Sequence, residues 1–228
     1  MQRIRKGLYL LESAGSVNCY LIEGAHGLTL FDTGHPLAAP QLADEIARNG
    51  FALKDIEAII LSHSHTNHAG GARGLLELHR VKVFCHPADI PAVTGKDQAP
   101  LRLGLRLWRF LLGLRYHYRP LEVVVPVNEG ETLRHLPQWQ VLSLPGHTPG
   151  SIGIFQPGER VLLCGDALNN RGGRLAIPGD ARCQDPVAAR ESIRKLAALD
   201  LEVLGCGHGP VVLSGAGLKV HDLLSPLT

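Results

Sequence analysis

Metal-ligand side chains at the ends of strand-like segments are the feature of this sequence that most suggests chemistry. Glycines flank several of them, and a glycine lets the chain bend a ligand towards an ion without a clash at Cβ. Imidazole nitrogen and carboxylate oxygen suit zinc, and also iron or manganese. The pattern therefore predicts a metal site. The candidate ligands are His63, His65, His68, His147, Asp166 and His208.

The elements that would position these residues alternate between strand-like and helix-like patterns. The first third reads as a β-meander over residues 7–11, 17–22 and 28–31, and a helix follows at 39–49. Strand groups that are mostly antiparallel, with helices between them, predict an α+β fold of two packed sheets, each covered by helices. Further strands are predicted at 56–61, 81–85, 122–127, 140–144, 151–155, 160–164 and 201–204, and further helices at 71–79 and 186–199.

Length, composition and charge limit the class of protein. The 228 residues, 45% hydrophobic and 19% charged, suffice for one sizeable core and exclude a disordered chain. A formal net charge of +2 gives no general electrostatic reason to expect a nucleic acid as partner. Five scattered cysteines without a Cys-x-x-Cys pair predict reduced thiols in a cytoplasmic protein. No export signal and no membrane span are expected.

Residues 87–120 interrupt the alternation and are predicted to be a helical insertion within a single domain over 1–228. A basic amphipathic helix is expected at 101–114, because its apolar residues fall on one helical face and arginines line the neighbouring face. One interpretation packs this helix on the domain with its arginines in solvent. The other makes it a lid over an active site or a contact with a membrane surface.

Taken as a set, the motifs resemble those of the metallo-β-lactamase superfamily. The resemblance implies a four-layer αββα sandwich with a metal centre at one edge of the two sheets. It also implies ligand roles: a first metal held by His63, His65 and His147, a second by His68 and His208, and Asp166 bridging both. The matching motifs are Phe31-Asp-Thr-Gly, Ser62-His-Ser-His-Thr-Asn-His-Ala-Gly-Gly, Pro145-Gly-His-Thr-Pro-Gly-Ser, Gly165-Asp166 and Gly207-His-Gly-Pro.

Asn67 departs from the family pattern His-x-His-x-Asp-His, in which a carboxylate binds the second metal and orients the attacking water. An amide oxygen is a poorer ligand and cannot accept a proton as a base, so a second ion is expected to bind more weakly. Three explanations stay open. Asn67 is an introduced change that silences a hydrolase, a natural feature of a branch that uses one metal, or the mark of a binder without catalysis.

Further candidates surround the expected centre. Asp32 resembles the family's buried aspartate, which would orient a ligand histidine through the other ring nitrogen, although an ordinary turn aspartate is the alternative. Tyr116 could donate a hydrogen bond to an oxyanion or to the substrate. His117 and Tyr118 could do the same, and packing is an equally open explanation for all three residues. Cys206 is expected to be a buried thiol at a strand end rather than a ligand. His35 and His86 could lie near the pocket, although an isolated histidine is usually a partly buried polar side chain.

These expectations favour a small hydrolase that attacks an ester, lactone or thioester with a metal-bound hydroxide, using one or two zinc ions, with iron or manganese as alternatives. The nuclease branches of the family carry added domains, and glyoxalase II carries a helical C-terminal domain, for which the 20 or so residues after His208 leave little room. The expected partner is a small molecule with an acyl or apolar portion, for which 101–114 would form a wall.

Two other functions stay open. A mononuclear iron persulfide dioxygenase, as in related family members, needs only the equivalents of His63, His147 and Asp166, so Asn67 would harm it less. A catalytically silent adaptor would bind a membrane or a protein through the helix predicted at 101–114. The sequence is compatible with either a monomer or an oligomer.

Overall fold

Two β-sheets form the centre of the molecule in this computed structural model, which describes residues 1–96 and 118–224. Within those residues, the larger sheet has seven strands in chain order: β1 (Gln2–Arg5), β2 (Leu8–Leu11), β3 (Cys19–Glu23), β4 (Leu28–Phe31), β5 (Ile56–Ile60), β6 (Lys82–Cys85) and β7 (Val125–Pro126). The smaller sheet has the order β13-β10-β9-β8, formed by β8 (Gln140–Ser143), β9 (Ile152–Gln156), β10 (Val161–Leu163) and β13 (Val203–Gly205). A hairpin pairs β11 (Asn169–Arg171) with β12 (Arg174–Ala176).

Helices follow the strands of both sheets. The helices of the described residues are α1 (Ala39–Arg48), α2 (Thr66–Ala69), α3 (Ala72–Leu78), α4 (Ile90–Val93), α5 (Pro186–Ala197) and α6 (Ala216–Asp222). None of them is both long and apolar enough to cross a membrane. The helix predicted at 101–114, together with Tyr116 and His117, lies outside the described residues.

Strand pairing divides the larger sheet into two halves. Strands β1 to β4 form the predicted antiparallel meander, whereas β4 to β7 are parallel. In the smaller sheet, β8, β9 and β10 are antiparallel, and β13 pairs in parallel with β10. Six of the ten strand pairs among the described residues are antiparallel, which confirms the expectation of mostly antiparallel strands. The parallel pairs β4–β5 and β5–β6 arise because the helical crossovers through α1 and α3 return the chain to the same end of the sheet before the next strand starts.

Side-chain alternation along the strands separates the core into layers. In β3, Leu21 packs in one cluster with Leu42 and Ile46 of α1. Its neighbours Tyr20 and Ile22 face the smaller sheet and share a second cluster with that sheet's strands. A third cluster joins the outer face of the smaller sheet to α5 and α6. Each fully buried leucine or isoleucine stabilises such a layer by about 1.5–3 kcal/mol. The layers run helix, sheet, sheet, helix, which confirms the predicted αββα sandwich.

The predicted element boundaries agree with the structure to within a few residues, but several elements were not predicted. These are β1, α2, the β11–β12 hairpin and α6. All are short, so the helical or alternating pattern has too few residues to stand out. The carboxyl ends of β4, β5, β10 and β13 lead directly into the loops that carry the candidate ligands.

Candidate metal centre

The loop after β5 brings three candidate ligands to one point. His63 is fully buried, and its Nε2 lies 3.1 Å from Nδ1 of His65. The chain then turns at once into α2, which carries His68 back beside His63 with 4.2 Å between ring centroids. Because the short loop after β5 leads into a short helix, His63, His65 and His68 lie close together in space.

Asp166 lies between the histidines of three loops. Its Oδ1 is 3.4 Å from Nε2 of His68, and its Oδ2 is 3.4 Å from Nε2 of both His147 and His208. The loop of His208 can approach this closely because residue 207 is glycine. A Cβ on Gly207 would stand only 2.2 Å from Oδ1 of Asp166.

The structure thus brings all six predicted ligands together. Two overlapping groups have donor atoms within 4.8 Å of one another, His63 with His65 and His147, and His63 with His68 and Asp166. Four atoms of the cluster are buried without a hydrogen-bond partner in the described residues: Nε2 of His68, both ring nitrogens of His147 and Oδ1 of Asp166. Buried polar atoms without partners are costly, and a cation satisfies such atoms. The donor set therefore fits a divalent metal ion.

Burial and local charge set the protonation of the cluster. Burial, with the neighbouring histidines, holds the pKa of His63 well below its usual range and lowers that of His147 to about 4. Burial would raise the pKa of Asp166, but the His208 and His68 rings, each 3.4 Å from its oxygens, outweigh burial and hold the pKa far below the usual range. His63 and His147 are thus neutral and Asp166 is anionic at neutral pH, the forms in which these side chains bind metals.

Asp32 lies behind this cluster and is fully buried at the end of β4. Its Oδ1 accepts a hydrogen bond from the backbone N–H of Ser62 at 2.7 Å, and its Oδ2 lies 2.8 Å from Nδ1 of His68. Burial alone would lower the pKa of His68, but the carboxylates of Asp32 and Asp166 raise it to about 9. Asp32 also accepts from the hydroxyl of Ser62, which lies 2.9 Å from Nδ1 of His63. The position is that of an orienting aspartate.

His208 is held from the opposite side. Its Nδ1 lies 2.7 Å from the backbone carbonyl oxygen of Ser16, which can only accept, so Nδ1 carries the proton and Nε2 is free to face Asp166. The Asn18 amide donates to the backbone oxygens of Cys206 and Gly209, which fixes the same loop.

Comparison with known proteins identifies the family. The family model described as metallo-beta-lactamase superfamily matches residues 13–208. The chain belongs to the metallo-β-lactamase superfamily.

Several proteins named for metal-dependent hydrolysis or metal binding are similar to this superfamily member. The probable metallo-hydrolase YflN of Bacillus subtilis is 33% identical over 214 residues, which cover 84% of this chain and 80% of YflN. The hydroxyacylglutathione hydrolase of Vibrio parahaemolyticus is 30% identical over 155 residues, covering 67% of this chain and 48% of that enzyme. The crystal structure of TTHA1623 in a di-iron-bound form has a TM-score of 0.69 and 32% identity, covering 90% of this chain and 93% of that chain.

Asn67 lies beside His68 and His208, the two histidines that the resemblance assigns to the second metal. It lies in the first turn of α2 and is half-buried. Its Nδ2 stands 3.3 Å from Nε2 of His208. An uncharged amide thus borders the position that the resemblance assigns to the second metal.

A cavity of about 440 Å³ opens over the centre. His65, Asn67, His147, Asp166 and His208 line one side of it. The other side is the segment Ala181, Arg182, Cys183 and Gln184, which sequence reasoning missed. The sequence Asp185-Pro186, which is typical of a helix start, could have indicated that a loop precedes α5 at this point. Asp185 caps that helix through the N–H groups of Val187 and Ala188, and its own N–H donates to Gly146, which places the preceding segment beside His147.

The other candidates lie elsewhere among the described residues. His35 and His86 do not line the cavity, and Nδ1 of His86 accepts from the N–H of Ala88 at the start of a short 3₁₀ turn. The Tyr118 hydroxyl donates to the backbone oxygen of Val93, which makes it a packing residue. Cys206 is fully buried, as expected of a thiol at a strand end. Tyr116 stays a prediction.

Proposed function

We propose that this protein is a zinc-dependent hydrolase of a small ester, lactone or thioester. The observation that carries the proposal is the convergence of six ligand side chains, three of which have buried donor atoms without a partner and four of which line a cavity. The names of its relatives support hydrolysis, and that of the Vibrio relative supports a thioester, because hydroxyacylglutathione is one. The cavity volume of about 440 Å³ suits a small molecule.

The residues divide into two ligand groups that share Asp166. We assign a first ion to His63, His65 and His147, and a second to His68 and His208. When bound, a divalent ion lowers the pKa of water and polarises a carbonyl group.

The protein's own groups prepare this site. The neutral rings of the first group offer free lone pairs, and Asp166 supplies the negative charge that both positions share. Asp32 and the carbonyl of Ser16 bind the outer nitrogens of His68 and His208, so both rings point their Nε2 atoms inwards.

Asn67 limits what the second position can do. Its amide can donate or accept a hydrogen bond, but it adds no charge to the site and cannot take a proton from water. We therefore propose that the first position is filled more tightly than the second and that hydrolysis is slower than with a carboxylate at residue 67.

Location and substrate are part of the same proposal. All five cysteines are free thiols, which is consistent with a reducing cytoplasm. We place the acyl portion of the substrate against the cavity wall that includes the segment Ala181 to Gln184.

Metal analysis combined with an acyl-substrate panel tests the function. The purified protein is assayed on an N-acyl homoserine lactone, an S-acylglutathione and p-nitrophenyl acetate, before and after chelation and with zinc restored. We expect the purified protein to contain zinc and to release acid from at least one probe. Chelation should stop this release, and added zinc should restore it. His147→Ala should lose both zinc and acid release, whereas the matched variant His26→Ala, at an exposed loop residue, should retain both. Protein that keeps its metal in His147→Ala, or that releases no acid from any probe, contradicts the proposal.

One observation favours a second candidate, the iron persulfide dioxygenase. The 32% identical TTHA1623 structure is a di-iron form, and Asn67 weakens the position that a one-metal enzyme does not need. Iron in the purified protein with oxygen consumption on glutathione persulfide would select this activity over hydrolysis.

A further inference from the structure

Asp89 is a buried carboxylate that belongs to neither ligand group. It ends the 3₁₀ turn Pro87–Asp89, which follows β6, and only 2% of its surface is exposed. Removing a carboxylate from water is costly unless hydrogen bonds replace the water. The identity of its donors therefore shows what this side chain holds in place.

Three donors from two separate loops satisfy Asp89. Its Oδ2 accepts from the backbone N–H of Ser64 at 2.7 Å and from the hydroxyl of Thr148 at 2.8 Å. Its Oδ1 accepts from the backbone N–H of Gly150 at 2.8 Å. Both oxygens are engaged, and each donor lies in a loop that carries candidate ligands.

The positions of these donors tie Asp89 to the first ligand group. Ser64 lies between His63 and His65, and Thr148 directly follows His147. Asp89 thus joins the loop of the first two histidines to the loop of the third.

The fit around Asp89 is tight. A Cβ on Gly150 would stand 2.6 Å from both Cγ and Oδ1 of Asp89, so residue 150 must be glycine for the carboxylate to reach its N–H. Thr148 is fully buried, and its hydroxyl also lies 2.9 Å from Oγ of Ser151. A contact this closely packed can hold a loop to a fraction of an ångström.

Asp32 serves as a comparison. Its carboxylate acts directly on His68, and on His63 through the Ser62 hydroxyl. Asp89 touches no ligand ring, and its donors are backbone groups and one hydroxyl. The two aspartates share no donor, so each supports a different part of the centre.

We propose that Asp89 is a positioning residue that closes the first metal position by holding the His63–His65 loop and the His147 loop at a set separation. The inference rests on the metal centre proposed above and is independent of the substrate. It gives the first residues of the 87–120 segment, the turn Pro87–Asp89, a role in metal binding.

The variant Asp89→Asn tests this role at nearly constant volume. The amide replaces one acceptor oxygen with an NH2 group, so a donor must then face either the Gly150 N–H or the Ser64 and Thr148 donors. Cobalt(II) is titrated into chelator-treated protein against a competing chelator, and the visible ligand-field spectrum is recorded at saturation. No substrate is present, so failure of the hydrolase proposal does not affect the readout.

We expect Asp89→Asn to lower the affinity for the first cobalt ion about 10- to 100-fold and to alter the saturated spectrum. The matched variant Asp44→Asn, at an exposed partner of Arg48, should stay within about twofold of the parent, as removal of a surface charge has little effect. A merely structural role would lower the melting temperature while leaving affinity and spectrum unchanged. Parental affinity and spectrum in Asp89→Asn would overturn the proposal.

A second pair of variants covers the case in which Asp89→Asn does not fold. Thr148→Val keeps the shape of the side chain but removes the hydroxyl donor, whereas Thr148→Ser keeps the donor. We expect about a tenfold loss of first-ion affinity in the valine variant and rescue to within about twofold in the serine variant. Equal affinities in the two variants would contradict the role of Asp89.

Discussion

The two proposed metal positions of this centre differ in their surroundings. The histidines assigned to the first are buried or half-buried and lie on two loops, which Asp89 joins through hydrogen bonds. Of those assigned to the second, His68 lies deep in the protein, but the side chain of His208 is 32% exposed and the neighbouring residue is an amide. Hydrogen bonds orient the ligands of both positions, but the second is nearer to solvent and has no carboxylate at residue 67. The comparison indicates that burial and neighbouring charge, as well as ligand type, distinguish the two positions.

Removal of the histidine that lies close to the ligands of both proposed ions should have the largest effect. The donor atoms of His63 lie within 4.8 Å of those of His65 and His147 and also of those of His68 and Asp166, so His63→Ala should abolish tight binding of the first ion, disturb the second and lower kcat/KM about 1000-fold, the equivalent of several kcal/mol of lost metal catalysis. Metal content by elemental analysis and hydrolysis of the best acyl probe measure this. A variant that loses one ion and keeps the other would show that the two positions are separable at this residue.

The loop that supports His208 should be sensitive to acid through Glu45. This α1 carboxylate is buried and accepts from the N–H groups of Glu12 and Ser13, in the segment that continues to Ser16. Burial would raise its pKa, but these hydrogen bonds and the Met1 ammonium outweigh burial and lower the pKa to about 2. Because the folded pKa lies below the usual 4.5, Glu45 stabilises the fold above pH 4.5, and this stabilisation is lost as the pH falls towards 2.

We therefore expect Glu45→Gln to lower the free energy of unfolding by about 3 kcal/mol at pH 7 and by much less near pH 2. Urea unfolding at several pH values measures the difference. A deficit that does not change with pH would show that the carboxylate charge is not what stabilises this loop.

Restoring a carboxylate at residue 67 should reduce the contrast between the two positions. Asn67→Asp adds a charged oxygen ligand beside His208, so second-ion affinity should rise about 10- to 100-fold and the hydrolytic rate with it. Isothermal titration and the acyl assay measure both quantities. Asn128→Asp, at an exposed loop residue, is the matched control. Two tightly bound ions in the parent protein, with no gain on substitution, would refute this account of Asn67.

The smallest effect is expected from the amide that fixes the His208 loop. Asn18→Ala removes two hydrogen bonds to backbone oxygens, at 2.9 Å from Cys206 and 2.7 Å from Gly209. A loss of about 1–2 kcal/mol in unfolding free energy is expected, with weaker binding of the second ion only. If the first ion were weakened equally, the two halves of the centre would be more closely coupled than the separate supports indicate.

Much of the fold followed from local patterns, and the parts that did not follow depend on distant pairing. The apolar run of β3 and the helical face of α1 predicted strand and helix correctly, because each signal lies within a few neighbouring residues. Local patterns did not identify β4 to β7 as the strands that run parallel, since whether a strand runs parallel to its neighbour depends on the path of the chain between them.

The candidate site shows the same division. His63, His65 and His68 are close in sequence, so their meeting at a strand end could be expected from spacing. The placement of Asp32 behind His68 followed from the family resemblance. The cavity wall at residues 181–184 was missed, because the segment has no periodic pattern and its one ligand-type residue, Cys183, stands apart from the histidine motifs.

The types of ligand, the family and the departure at Asn67 are determined by the sequence alone, since they depend on residue identity and on order along the chain. Only the tertiary structure decided that Asp89 joins the two ligand loops. Asp89 and Thr148 are 59 residues apart, and a single hydrogen bond over that distance leaves no periodic trace in the sequence. A buried carboxylate reveals its role only through the donors that the folded chain brings to it.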